Sequence, residues 1–332
     1  MTKPFVDYSQ FSTFSDCEYK YVERYLNQTV KAPRGGQRSD AQTLGSLAHA
    51  MLQNWRTLGT HTLTPEQVGQ YDPTPECLMD ANMLVLGYLQ AYPQEAFTKY
   101  YCEEPLKFDL LPEMDGLAKI DSYFNTAEQL TIQSGLGDTL SLEPGWWVHE
   151  YKTKSATKDV GKYLGSWRMN MQAVFQMLAL QQLTGETPKG VLVNVLEKPL
   201  DYKPKRSCKG CKNSIELRDW QPTGEGYRCP QCGNVQDLDT SDKSKTTRTP
   251  KFYRIMVQRN MAELERGRAD IEIVAKRMLD LMVGGVPLRR TNSCVDQIWG
   301  DCEYFTAHSA LMTAREYGSG FVAKEALEYV TR

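Results

Sequence analysis

The chain has 332 residues, of which 41% are hydrophobic and 24% charged, and its formal net charge is -2. That balance excludes a disordered or membrane-embedded chain, and the near-neutral total excludes capture of nucleic acid by the overall field, leaving only local patches for that role. At this length a substantial core can be buried, either as one large domain with an insertion or as two of ordinary size.

At the N-terminus, Met1 to Asp7 lacks a basic stretch followed by an apolar core, and no apolar run reaches membrane-spanning length. A cytoplasmic protein without a membrane partner is therefore expected. From Ser9 to Leu26 the aromatic residues Phe11, Phe14, Tyr21 and Tyr25 recur with a spacing that fits one helical face. Residues 32 to 39 hold Pro33, Gly35 and Gly36 and read as a loop. Leu44, Leu47, Ala48, Met51, Leu52 and Trp55 then make a clear helical stripe, with Gly45 and His49 one turn apart on its flank.

Strands are predicted at Lys107 to Leu111, Leu117 to Phe124 and Trp146 to Lys152, followed by a helix from Tyr163 to Leu183 and a buried strand in Val191-Leu192-Val193-Asn194-Val195-Leu196. That succession gives a mixed sheet with helices packed on it. After Pro199 the composition turns to Lys, Cys, Gly, Asp and Ser, and the apolar pattern resumes at Phe252 to Val257. Residues 200–250 are accordingly expected to be an insertion into a domain formed by 1–199 and 251–332. A long helix from Asn260 to Val283 follows and ends at Gly284-Gly285, opening an α-helical C-terminal region. There is no internal repeat, and Gly161-Lys162 lacks the glycine and hydroxyl residue of a phosphate-cradling loop, so the chain is no nucleotide-driven motor.

Within the insertion, Cys208, Cys211, Cys229 and Cys232 form C-x2-C-x17-C-x2-C. Two thiolate pairs of this spacing converge on one tetrahedral ion, so a structural zinc is expected, with its binding coupled to folding of a segment poor in apolar residues. The ribbon either contacts nucleic acid or a partner, or staples a long loop.

Two local runs of charge stand out: Lys152, Lys154, Lys158, Lys162 and Arg168, and Lys203, Lys205, Arg206, Lys209 and Lys212. In the first, Lys154 is a candidate DNA contact. In Val148-His149-Glu150-Tyr151-Lys152-Thr153 a strand puts Glu150 and Lys152 on one face, where a metal-binding carboxylate and an ammonium can position water and offset charge on a phosphate. Alone, such a pair is usually a surface ion pair. Asp121, 29 residues earlier at the end of an apolar strand, is the second carboxylate that a hard divalent cation requires.

The order Gly45-x-x-x-His49, Ile120-Asp121, Glu150-Tyr151-Lys152-Thr153 and a helix bearing Gln172 resembles the RecB-like branch of the PD-(D/E)XK nucleases, which includes phage exonucleases and CRISPR-adaptation nucleases. The resemblance runs from Ser9 to about His308 outside the cysteine insertion, and its specificity lies in the order of several weak motifs. It implies a restriction-endonuclease-like core and a magnesium- or manganese-dependent DNA nuclease, probing DNA ends as an exonuclease, in a bacterial or phage-infected cell. It further implies metal ligation by His49, Asp121, Glu150 and the Tyr151 carbonyl, with Lys152 as catalytic cation and Gln172 as a DNA contact. DNA recombination, repair or phage DNA processing is the implied setting, with a helicase or annealing protein as partner. One departure concerns the helix: the usual motif has Tyr four residues after the Gln, and here that place is Gln176. Some members also hold an iron-sulfur cluster on one N-terminal and three C-terminal cysteines. Cys17, Cys294 and Cys302 match three of those places, and His308 stands at the fourth. The rival reading is a non-catalytic zinc-ribbon protein that binds nucleic acid on a nuclease-like scaffold.

Overall fold

One strand organises the sheet, and its sequence explains why. Met114–Thr126 (β4) is buried along both faces, apart from Lys119 and a few half-buried positions, as expected of a strand with layers on either side. The computed structural model describes residues 3–31, 40–93, 97–155, 159–199, 205–216, 219–238, 249–283 and 321–323. In it the chain divides into two compact units, Met1–Thr153 with Asp159–Leu196 and Phe252–Arg332, and Lys154–Lys158 with Glu197–Lys251.

The first unit opens with β1 (Phe5–Asp7), α1 (Tyr8–Asp16), α2 (Glu18–Tyr21), a π-helical turn (Val22–Leu26) and β2 (Thr29–Lys31). The single helix expected from Ser9 to Leu26 is thus broken. Cys17 adopts an extended backbone and its Sγ accepts the Lys20 N–H at 3.5 Å, ending one helix and capping the next. Then come α3 (Asp40–Leu58), α4 (Pro65–Tyr71), α5 (Pro75–Ala91), β3 (Thr98–Leu111), β4, the hairpin β5 (Leu130–Gln133) and β6 (Thr139–Leu142), and β7 (Gly145–Ser155). Helix α4 starts at a full capping box, with Thr64 and Gln67 each bonding the other's backbone, and Pro follows the cap in both α4 and α5. These start signals are present in the sequence, which makes the two helices legible in retrospect.

The helix expected from Tyr163 to Leu183 is also divided, into α6 (Val160–Ser166), a 3-10 turn (Trp167–Met169) and α7 (Met171–Thr184). Asn170 interrupts it because its side chain accepts the Gln172 N–H at 2.8 Å and caps α7. The unit continues with β8 (Gly190–Lys198), and after the second unit with β14 (Lys251–Val257), α8 (Met261–Met282) and β15 (Phe321–Ala323), which pairs antiparallel with β2.

The strand order β1-β4-β7-β8-β14, with β3 also on β4, makes a six-stranded mixed sheet. Its β8 alternates with period two: Val191, Val193 and Val195 join a core with Phe175 and Val174 of α7, Phe11 of α1 and Leu264 of α8. On the opposite face Leu196 packs with Leu47 of α3 and Val85 of α5, and Leu192 with Leu142 of the hairpin. Helices therefore cover both faces, and the expected mixed sheet flanked by helices is what forms. No helix among the described residues is long and apolar enough to cross a membrane.

Register creates an opening. Strand β3 pairs along one edge of β4 from Thr98↔Asn125 to Leu111↔Met114, so β1 and β7 must share the other edge. There β1 runs parallel, from Phe5↔Asp115 to Asp7↔Leu117, and β7 runs antiparallel, from Thr126↔Gly145 to Ser122↔His149. Residues 118–121 of β4 are left without a strand partner on that edge among the described residues.

The second unit holds two small sheets, β9 (Lys205–Ser207) with β10 (Ser214–Glu216), and β11 (Gln221–Thr223), β12 (Gly226–Arg228) and β13 (Val235–Gln236). Its core is small: Cys208, Ile215, Trp220, Cys229 and Leu238.

Candidate active site

Asp121 lies at the end of the unpaired stretch of β4, where its carboxylate takes the place of a strand partner. Its Oδ2 accepts the Tyr151 N–H of β7 at 2.7 Å, so the two strands part around an acid instead of pairing. Its Oδ1 lies 3.1 Å from His49 Nδ1. Helix α3 can bring His49 there because Gly45, one turn earlier, faces β7: a Cβ at Gly45 would stand 3.1 Å from Thr153 Oγ1. Burial works against the Asp121 charge, but His49, Lys152 and the Tyr151 amide outweigh it and hold its pKa below the ordinary carboxylate value. The same pair works on His49, whose burial is outweighed by Asp121, so its pKa is raised.

Glu150 and Lys152 fall on the same side of β7, as strand alternation requires. Glu150 is almost wholly buried and held by three donors. Its Oε1 accepts from Gln172 Nε2 at 2.8 Å and from the Lys152 ammonium, and its Oε2 from Gln176 Nε2 at 2.6 Å. Burial and the charge of Asp121 push the Glu150 pKa up against the pull of Lys152. For Lys152 burial is the largest influence and lowers its pKa, but Glu150 and Asp121 together overcome it and raise it, keeping the ammonium charged. The Lys152 ammonium also stands 5.7 Å from the centroid of the Trp167 ring.

Beneath the strand, a buried polar network holds the Glu150 backbone. Asn194 Nδ2 donates to Glu150 O at 3.3 Å, and Asn194 Oδ1 accepts from Tyr88 Oη at 3.0 Å and from Arg254 Nε at 2.8 Å. Arg254 also donates to Tyr88 Oη at 2.8 Å and lies 3.6 Å over the Tyr92 ring. Sequence reasoning missed this set. Its one legible sign was Asn194, a polar residue inside an apolar run that reads as a buried strand.

Several predicted residues have other surroundings than expected. Lys154, read as a DNA contact, is buried, with its ammonium 2.6 Å from Glu197 Oε2 and 3.0 Å from Ser155 O. An ammonium so enclosed and neutralised is not offered to a phosphate, which corrects that assignment. Gln172 is turned to Glu150, and Tyr151 presents its N–H to Asp121 with its ring packed on Tyr88 and His149. Of the residues proposed for iron, Cys17 is buried and caps α2, while Cys294, Cys302 and His308 lie outside the described residues.

Two donor sets could hold metal. Among the described residues, Cys208, Cys211, Cys229 and Cys232 are the group whose ligand atoms all lie within 4.8 Å of one another. Cys208 Sγ and Cys232 Sγ are 3.5 Å apart, and Cys211 Sγ and Cys229 Sγ 3.9 Å. A tetrahedron with zinc–sulfur bonds of about 2.3 Å has edges of about 3.8 Å, so the quartet fits that ion. Both knuckles have the same turn, with Lys212 N–H bonded to Cys208 O at 2.9 Å and Gly233 N–H to Cys229 O at 3.0 Å. The second set is His49, Asp121 and Glu150, in which His49 Nδ1 lies 3.1 Å from Asp121 Oδ1. The buried Glu150 and the half-buried Asp121, carboxylates that repel one another, form with the His49 imidazole the set that a hard divalent cation would stabilise.

No curated protein matches the chain. Among solved structures it is similar to a provisionally assigned exonuclease from Eubacterium rectale, at 13% identity over 87% of this chain and 85% of that chain, with a TM-score of 0.46. Among family models, residues 7–305 match the PD-(D/E)XK nuclease superfamily.

Proposed function

Because the chain belongs to the PD-(D/E)XK nuclease superfamily, by a match over residues 7–305, we propose that it is a divalent-metal-dependent deoxyribonuclease acting on DNA ends. One observation carries the reading: Asp121 and Glu150 come together where pairing between β4 and β7 stops, with Lys152 bonded to Glu150. A structural role gives no reason to set a buried carboxylate and a half-buried one that repel each other at a break in a sheet.

Asp121, Glu150, His49 and the Tyr151 carbonyl are the proposed ligands of magnesium or manganese. When bound, such a cation polarises a phosphoryl oxygen and makes a water more acidic. Lys152 orients the attacking water or offsets charge that builds on the phosphate, and its raised pKa keeps it charged for that task. His49 orients Asp121 through the 3.1 Å contact. Gln172 and Gln176 hold Glu150, a positioning role rather than the DNA contact first assigned to Gln172. The cysteine quartet holds a structural zinc outside this chemistry, and any helicase or annealing activity belongs to a separate partner.

The test uses end-labelled linear and covalently closed circular DNA with magnesium, manganese or chelator. Metal-dependent loss of linear DNA is expected, with circles spared. Asp121→Asn and Lys152→Ala should each reduce the rate by about a hundredfold or more while circular dichroism stays unchanged. Undiminished cleavage by a folded Asp121→Asn protein would remove this site from consideration, and degradation of circles would replace end-directed action by internal cutting.

A further inference from the structure

Helix α7 presents two glutamines one turn apart to the same carboxylate. Gln172 Nε2 is 2.8 Å from Glu150 Oε1, and Gln176 Nε2 is 2.6 Å from Oε2. Each oxygen is held from one helix, so the carboxyl plane cannot turn about its last bond without breaking a contact. Oε1 also accepts from Lys152, which fills three of about four lone-pair sites on the group. The lone pair that remains lies on Oε2, the oxygen whose direction Gln176 sets.

Gln176 does more than touch Glu150. Its Nε2 also stands 3.4 Å from the Lys119 carbonyl, inside the stretch of β4 that has no strand partner on that edge. One amide group therefore bridges the gap between β4 and β7. That position is poor for stability: Gln176 is 1% exposed, and its Oε1 has no hydrogen-bond partner among the described residues. A buried acceptor without a partner is destabilising, whereas an apolar side chain of the same length would fill the space without that penalty. Packing alone gives no reason for glutamine here.

We infer that Gln176 is a positioning residue, whose amide fixes the orientation of Glu150 so that its Oε2 lone pair faces a divalent cation. The inference rests on the nuclease reading of the site. It assigns a function to the position at which this chain departs from the resembled motif.

The experiment measures manganese binding to the full chain without DNA, by the electron paramagnetic resonance signal of free Mn2+, together with thermal melting. Wild type, Gln176→Met and Gln176→Leu are compared, with Asp121→Asn as the control that identifies the site. Both Gln176 variants should melt at or above the wild-type temperature, and their manganese affinity should fall about tenfold or more, the usual scale for groups that orient a metal ligand. A folded Gln176→Met protein that binds manganese as wild type does overturns the inference and leaves the nuclease reading standing. Absence of any wild-type manganese binding that Asp121→Asn removes overturns both. If neither variant folds, Gln176 is a core residue and the inference fails.

Discussion

At the scale of single residues, charge that looks alike in the sequence has opposite fates in the fold. Lys152 and Lys154 are two positions apart on β7, yet the first bonds the candidate catalytic carboxylate and the second is sealed against Glu197. Removing one partner of a buried ion pair leaves a charge without compensation and costs about 3–5 kcal/mol, while replacing both by apolar groups is often neutral. Lys154→Met is therefore expected to destabilise the protein strongly, and Lys154→Met with Glu197→Leu to recover most of the loss, as read by urea unfolding. A Lys154→Met protein of wild-type stability but weakened DNA binding would restore the DNA-contact reading instead.

At the scale of elements, short-range polar contacts decide where helices stop. Periodicity was right about helical character on both sides of Cys17 and Asn170, but a side chain that captures a backbone N–H breaks the helix at that point. The β5–β6 hairpin is fixed instead by contacts with segments far away in the chain. Gly135 has a φ of +82°, and a Cβ there would lie 2.0 Å from the Phe252 carbonyl oxygen and 2.7 Å from Tyr92 Oη. The adjacent Ser134 carbonyl accepts the Arg254 N–H at 2.6 Å, which joins the hairpin tip to the strand carrying the buried arginine. Gly135→Ala combines left-handed backbone strain with a backbone clash and should cost about 2 kcal/mol or more. In a protein of this size that is a fall in melting temperature of about 3 °C or more. An unchanged melting temperature would show that the hairpin tip is not fixed in this way.

At the scale of the whole molecule, the two units rest on different forces. The first buries an extensive core on both faces of its sheet, whereas among the described residues of the second the buried hydrophobic cluster is Ile215, Trp220 and Leu238 with Cys208 and Cys229. So small an apolar cluster does not offset the chain entropy of about fifty residues, a difference that ligation of the proposed zinc would supply. Chelation, or Cys208→Ser with Cys229→Ser, is expected to release about one zinc per chain and to open residues 197–251 to limited proteolysis. The first unit should keep its cooperative melting transition. Loss of both units together would show that the larger core depends on the ribbon.

The sequence by itself determined what depends on local pattern. Apolar runs and helical stripes located β4, β7, β8, α3 and α8, the spacing of the four cysteines located their cluster, and strand alternation put Glu150 beside Lys152. Contacts between distant segments followed no local pattern. That β1 and β7 share one edge of β4, that Asp121 occupies the gap between them, and that Gln176 bridges it depend on tertiary contacts that join residues 19 to 110 positions apart. Hydrogen-bonding capacity is the same wherever such a residue stands along the chain; only the tertiary structure decides which buried partner satisfies it.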